Sequence, residues 1–198
     1  MNKSIVLGLL SIFAVVGLVG GLTYAYFSDQ GTSTGNTFST GTLILKLTDG
    51  NETDQDSVTA SFGSSTLVPG TCTGDQTLTL KNTGTVAANH AEVTVANVVT
   101  DTGSNATPGM DSFLRINKLT YGVTDVKSQI ADSNANDFED LADWDASATA
   151  LDDLALTNLD AGHDLVLDVC LDSSAGNTLQ GDNVVSTFTV DLNQDASQ

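Results

Sequence analysis

The sequence predicts a mainly β protein built as a β-sandwich. Short segments alternate apolar and polar residues, which is the two-residue period of a strand with one buried face. Gly, Asn and Asp interrupt these segments where turns are expected. Thr, Val and Leu supply most of the alternating residues and suit a pleated surface, so the pattern indicates two packed sheets.

The chain begins with a segment typical of a secretory signal peptide. A short, weakly positive start precedes residues 5–22, which are apolar except for Ser11. Thr23 and Ala25 place small residues at positions −3 and −1 of a cleavage site, so we expect residues 1–25 to be removed and Tyr26 to begin the mature protein. The alternatives are a retained transmembrane anchor, for which the apolar run is just long enough, and a prepilin helix that is cut on its N-terminal side.

The composition excludes several classes of partner. Six Lys and Arg face 25 Asp and Glu, which gives a net charge of −19, or about −20 after Lys3 leaves with the signal. Phosphate contacts need a basic surface, so nucleic acid is excluded as a partner and the membrane is expected to matter only during export. Subunits this acidic repel each other in dilute buffer, so any assembly is expected to need high salt or Ca²⁺.

Seven strands are predicted in the mature chain. They lie around residues 43–47, 58–62, 78–81, 93–96, 114–121, 165–171 and 184–192. Phe188 and Val190 share one side of the last strand, and Leu165, Leu167 and Leu171 share one side of the strand before it. No linker divides the chain, so these strands form one domain.

One region departs from the strand pattern. Residues 136–156 are rich in Ala, Leu and Asp with near-helical spacing, which predicts one or two short helices. Asp132 with Ser133, or Asn136, is the predicted N-cap. Trp144 is expected to pack this insertion onto the sandwich.

Catalytic signatures are absent from the sequence. His90 and His163 are the only histidines, and no H-E-x-x-H pair, G-x-S-x-G elbow or Cys–His set is present. Both histidines are expected to be exposed turn residues. We therefore predict that the protein is not an enzyme and needs no cofactor; a secreted protease, the enzymatic alternative, would lack its ligands.

Two acidic clusters are candidates for Ca²⁺ binding. The first places oxygen ligands in one loop, as Ca²⁺ prefers, without the glycine of an EF-hand; its residues are Asp49, Asn51, Asp54 and Asp56. The second comprises Asp137, Glu139, Asp140, Asp143 and Asp145. A solvated acidic surface is the alternative for both clusters.

Two covalent features depend on export. Cys72 and Cys170 are the only cysteines, and an even pair in an exported protein indicates a disulfide. Such a bridge would contribute about 4 kcal/mol through loop closure; two buried free thiols are the alternative. Asn51 and Asn105 each begin a glycosylation sequon, which is used where the source organism has the machinery.

Three segments, taken in order, resemble one family. Residues 24–29 (YAYFSD) and 36–45 (NTFSTGTLIL) resemble the N-terminal signature of TasA and camelysin-type proteins, which a SipW-type signal peptidase cuts just before an aromatic–x–Asp start. Residues 67–70 (LVPG) with 78–84 (LTLKNTG) resemble the family's L-x-P-G and N-x-G motifs. Residues 176–182 (GNTLQGD) with 188–194 resemble its ending. The high acidity and the two cysteines are departures from this set.

The resemblance implies a jelly-roll sandwich that serves as the subunit of an extracellular filament, either a biofilm matrix fibre or a bundling pilus. Family polymers are similar in using donor-strand complementation, in which one subunit's N-terminal strand joins its neighbour's sheet. Residues 26–40 would then be the donor arm, with Tyr26, Phe27 and Phe38 as its apolar contacts, and residues 41–198 would be the sandwich domain.

The partner implied by the resemblance is a second copy of this protein, in a head-to-tail homopolymer at the cell surface or outside it. The alternative is a monomeric secreted module that decorates fibres made by another protein. Some family members carry a metalloprotease label, and that activity is not carried over because its ligands are missing here.

Overall fold

The computed structural model describes residues 2–21, 32, 34–35, 37, 39–59, 61–102, 107–147, 151–157 and 159–195. The chain divides into two units, Met1–Ser39 and Thr40–Gln198. In the first unit, helix α1 spans Lys3–Gly21. Within the described parts of the chain, no helix is long and apolar enough to cross a membrane. The predicted cleavage site, the predicted arm residues Tyr26, Phe27 and Phe38, and the sequon at Asn105 lie outside the described residues.

The second unit contains two antiparallel sheets. Its described residues form the strands β1 Leu45–Thr48, β2 Gln76–Asn82, β3 His90–Thr100, β4 Leu114–Tyr121, β5 Thr124–Asp125, β6 Leu151–Leu154, β7 Gly162–Leu171 and β8 Asn183–Asn193. One sheet has the order β1-β2-β7-β4-β5 and the other the order β6-β3-β8. The mainly β class is confirmed, while the jelly-roll topology stays a prediction.

The two sheets share one apolar core. Leu80, Ile116 and Leu165 from the five-stranded sheet lie in the same cluster as Val93 and Leu151 from the three-stranded sheet, and each is at most 1% exposed. Inward residues alternate with outward ones along each strand, because strand side chains point to opposite faces in turn. This single cluster makes the pair of sheets a sandwich.

A short helix covers part of the three-stranded sheet. Helix α2 spans Leu141–Ala146 and carries Trp144, whose side chain is fully buried. The Trp144 indole Nε1 donates a hydrogen bond to the Val93 carbonyl oxygen at 3.4 Å. The prediction that Trp144 packs the insertion onto the sandwich is therefore confirmed.

The predicted extent and cap of the helical insertion are wrong. The N-cap is Asp140, which forms a reciprocal capping box with Asp143, and neither Asp132 nor Asn136 caps the helix. Residues 151–154, predicted as helix, form β6, because Leu151 and Leu154 are buried where this strand pairs with β3. Short 3₁₀ turns at Met110–Phe113, Lys127–Gln129 and Asn177–Leu179 complete the regular structure of the described residues.

The strand predicted around residues 58–62 is also wrong. The described residues of this segment form no strand, although Val58 and Phe62 pack against the core. Their alternation reflects two apolar contacts made by a loop, and a periodic pattern does not report whether the backbone has a partner.

Truncation of a core side chain should destabilise the sandwich strongly. We expect Leu165→Ala to lower the free energy of unfolding by about 2–5 kcal/mol, since Leu165 is fully buried between the sheets. Urea denaturation followed by circular dichroism measures this change. Val123→Ala, at a fully exposed turn position, is the control and should cost less than about 0.5 kcal/mol. Equal effects of the two substitutions would contradict the assignment of the core.

Candidate functional site

Strand β8 has a partner on one side only. It pairs with β3 along its whole length of 11 residues, from Asn183 opposite Thr100 to Asn193 opposite His90. No strand among the described residues pairs with its other edge, so β8 ends the three-stranded sheet. Every second residue of this edge directs its backbone N–H and C=O away from β3, which makes the edge a template for another strand.

The inner face of β8 is apolar but incompletely covered. Val184, Phe188 and Val190 point toward the core and are half-buried. On β3, Val93 and Val95, which lie opposite Val190 and Phe188, are 1% and 6% exposed, while Val99, opposite Val184, is half-buried. The core is therefore closed over the first half of β3 and open beside β8 and the end of β3.

A cavity of about 510 Å³ lies along this open side. Its walls come from both sheets and include Leu167 and Val169 of β7 and Val184 and Phe188 of β8. We call this cavity the groove. It lies beside a strand edge that no described strand pairs, and its lining combines these apolar side chains with polar ones such as Gln76 and Asn183. An added peptide strand could therefore pair with the edge and place its side chains in the groove.

Asp182 is the only charged residue among the described ones that line the groove. Its Oδ1 accepts a hydrogen bond from the Thr102 backbone N–H at 3.0 Å, while its Oδ2 is buried and has no hydrogen-bond partner. A buried acceptor without a donor is costly. The groove therefore contains an acceptor that an entering N–H or O–H group can satisfy.

Residues 61–67, which we call the plug, partly cover the groove. The Phe62 ring lies 4.9 Å from the Phe188 ring, edge to face. Gly63 donates its N–H to Gln76 Oε1 at 2.7 Å and accepts from Gln76 Nε2 at 2.9 Å. The described contacts of the plug include no backbone hydrogen bond to a strand. The plug is therefore held by side-chain contacts and not by pairing with a sheet.

The N-x-G motif fixes the chain just after the predicted arm. The Asn82 side chain is fully buried and accepts hydrogen bonds from the backbone N–H groups of Gly84 and Ile44. A Cβ at Gly84 would lie 2.1 Å from the Thr42 carbonyl oxygen, so only glycine fits there. This motif holds residues 42–44 against the end of β2.

The first acidic cluster is divided among separate partners. Asp49 accepts from the backbone N–H groups of Asn51 and Glu52, which lower the pKa of its carboxyl. Asp54 pairs with Lys81 at 3.5 Å, and Asp56 pairs with Lys46 at 2.7 Å. Asn51, the predicted ligand and sequon residue, is exposed. Ca²⁺ binding by these four residues stays a prediction.

The second cluster contains two fully buried carboxylates, Asp140 and Asp143. Asp140 Oδ2 accepts from the side-chain amides of Asn134 and Asn136 at 2.9 and 2.7 Å. Asp143 Oδ1 accepts from the Ser133 backbone and hydroxyl at 2.8 Å each. Burial raises the pKa of the Asp140 carboxyl, so the stability this carboxyl contributes is lost as the pH rises through its folded-state pKa.

Sequence reasoning missed the spacing within this second cluster. Oxygen-bearing side chains occupy positions 1, 3, 5, 9 and 12 of a twelve-residue loop, as in an EF-hand; they are Asp132, Asn134, Asn136, Asp140 and Asp143. Position six is Asp137, whose φ of 73° is the left-handed conformation that glycine adopts in an EF-hand. The two asparagines complete the EF-hand spacing in the sequence, and a count of carboxylates alone leaves them out.

The remaining candidate residues do not form a catalytic set. The expectation of an exposed turn is wrong for His90, which is 2% exposed at the start of β3 and lies 3.1 Å from Glu92 Oε1. It is also wrong for His163, which lies in β7 and stacks on Tyr121 at 5.5 Å. Among the described residues, neither histidine belongs to a close group of three His, Cys, Asp or Glu side chains.

Cys72 and Cys170 form a disulfide across 98 positions of sequence. With the buried Asp168 they make the only close group of three His, Cys, Asp or Glu side chains among the described residues. Disulfide sulfurs offer no thiolate to a metal. Asp168 instead accepts hydrogen bonds from the Gly74 backbone at 2.8 Å and the Asn117 amide at 2.7 Å, which fastens the segment before β2 to β7.

Calcium should raise the midpoint of thermal unfolding, because a cation offsets the two buried carboxylates of the second cluster. Asp143→Asn should abolish this shift, whereas Asp49→Asn, the matched change in the first cluster, should retain it. Differential scanning calorimetry with Ca²⁺ and with chelator measures the shift. Loss of the shift only in Asp49→Asn would assign Ca²⁺ to the first cluster, and an unresponsive wild-type protein would contradict Ca²⁺ binding by either.

Comparison with known proteins places the chain in one family. No curated protein matches the sequence. The sequence model described as camelysin metallo-endopeptidase matches residues 1–198, the whole chain. This match agrees with the resemblance carried by the N-terminal, L-x-P-G, N-x-G and C-terminal motifs, and the chain therefore belongs to the camelysin family.

Proposed function

We propose that this protein is the repeating subunit of an extracellular filament, in which the N-terminal arm of one copy joins the β8 edge of the next. The observation that carries the proposal is the outer edge of β8, which no described strand pairs, beside the groove. Membership of the camelysin family is consistent with a structural matrix or fibre subunit and suggests a secreted or surface protein.

The arm suits the groove in length and charge. Residues 26–40 number 15, against the 11 residues of β8. An added strand of that length spans about 3.3 Å per residue and covers the whole edge. Asp29 is the one charged residue of the arm in a chain of net charge −19, so the arm approaches an acidic neighbour with little repulsion.

The arm supplies what the edge of β8 lacks. Its backbone provides ladder hydrogen bonds, and alternate side chains cover the half-buried face around Val184 and Phe188. One of its N–H or O–H groups reaches the unpartnered Oδ2 of Asp182. The three-stranded sheet then has four strands, and its edge is no longer open.

Insertion of this kind produces a filament. The donor arm and the acceptor edge are different surfaces of the same chain, so the contact is heterologous and repeats head to tail without closing into a pair. The net charge of −19 opposes association in dilute buffer. Salt screens this repulsion over about 3 Å at 1 M, against about 10 Å at 0.1 M, so assembly and bundling should be favoured by high salt or Ca²⁺.

Removal of the arm should abolish polymerisation. The mature protein, beginning at residue 26, should form long filaments of uniform width at high salt, and a variant beginning at residue 41 should remain dispersed with the same strand content by circular dichroism. Negative-stain electron microscopy distinguishes the two. Filaments of unchanged width from the shortened variant would contradict the donor role, and dispersed wild-type particles would favour the fibre-decorating alternative.

Peptidase activity is not expected, although the family description names a metallo-endopeptidase. His90 and His163 lie on different sheets, so the chain offers no histidine pair to a zinc ion. Purified protein incubated with zinc should leave casein intact over the time in which a control metalloprotease digests it. Chelator-sensitive cleavage by the wild-type protein would overturn this expectation.

A further inference from the structure

The ring of Phe188 has neighbours on two sides that differ in how firmly they are held. On one side it packs against Trp144, at 5.4 Å between ring centroids. Trp144 is fully buried and belongs to α2, which is fixed by its capping box. On the groove side it packs against Phe62 of the plug, at 4.9 Å. The second neighbour is the one that can leave.

The plug is held by few interactions. The side-chain amide of Gln76 makes both hydrogen bonds to the Gly63 backbone, accepting one from its N–H and donating one to its carbonyl oxygen. Residues 63–66 are exposed, and only Phe62 and Leu67 reach the core. A segment with few buried apolar contacts and no ladder pairing opens more easily than the strands around it.

A strand added to β8 would place a side chain where Phe62 now lies. Phe188 points inward from β8, so the residue opposite it on a new strand also points inward, with its Cβ about 5 Å away. That position is on the groove side of Phe188, which Phe62 occupies in the free subunit. The arm and Phe62 cannot both occupy it.

From this conflict, and resting on the proposed function, we propose that the groove side of Phe188 is the binding seat for an aromatic side chain from the arm of a second copy, and that Phe62 fills this seat until the arm displaces it. The arm carries Tyr26, Phe27 and Phe38 as candidates. Aromatic pairs across strands are favourable beyond the area they bury, which makes an aromatic residue the fitting replacement for Phe62.

The rate of polymerisation tests this seat. Phe62→Ala empties the seat and should accelerate filament growth by about two- to tenfold, the range implied by loss of one aromatic pair. Gln76→Leu removes both hydrogen bonds to Gly63 at similar volume and should also accelerate growth. Phe138→Ala, whose ring packs on Arg115 outside the groove, is the matched control and should grow like the wild-type protein. Light scattering at fixed salt measures the rates.

Results that contradict the seat can be distinguished from results that contradict the proposed function. If the wild-type protein forms filaments and both Phe62→Ala and Gln76→Leu grow no faster than Phe138→Ala, the seat is overturned while the filament proposal stands. If removal of the arm leaves polymerisation unchanged, the donor role of the arm fails and the seat fails with it. Slower growth of Phe62→Ala with unchanged thermal stability would also overturn the seat, because it would make Phe62 a contributor to the polymer.

Discussion

The structure depends on one unmet requirement, the hydrogen-bonding capacity of the outer edge of β8. A strand of 11 residues with an apolar inner face needs a partner on each side or a cover. Among the described residues β3 meets the need on one side, and the plug covers the other through side chains only. In the proposed filament, a strand added at this edge covers the half-buried Phe188, fills the groove and offers a donor to the buried, unpartnered oxygen of Asp182.

The side of the groove that faces β8 is built rigidly. β7 is central in the five-stranded sheet. The Cys72–Cys170 disulfide and the buried Asp168 fasten the segment before β2 to β7. Asn82 and Gly84 fasten residues 42–44 to β2 where the arm region ends. In the proposed mechanism the plug is therefore the element that moves, and the walls of the groove stay in position when it does. A binding site that is already ordered loses less conformational entropy when the arm binds.

The sequence was most informative where a strand has one buried face. β4 was predicted at its observed bounds, and β8 was predicted to within one residue at each end, because their alternation records burial directly. Residues 58–62 alternate in the same way, but the described ones form no strand. The helix predicted over residues 151–154 rests on leucines that are buried by strand pairing. Local pattern records which side chains are buried and does not record which backbone edge has a partner.

The same limit explains what was missed at the site. The groove requires knowing that β8 lies at the edge of its sheet, which only the strand order reveals. The contact between Phe62 and Phe188 joins residues 126 positions apart, and no local signal connects them. By contrast, the twelve-residue spacing from Asp132 to Asp143 was readable from the sequence once asparagine was counted as an oxygen ligand.

The most direct test of the central claim is a cryo-electron microscopy map of the wild-type filament at a resolution that separates strands. The account predicts continuous density for a fourth strand along the outer edge of β8, contributed by the neighbouring copy, with an aromatic side chain against Phe188 and Phe62 displaced. A filament in which the edge of β8 carries no added strand, with Phe62 still packed on Phe188, would contradict it.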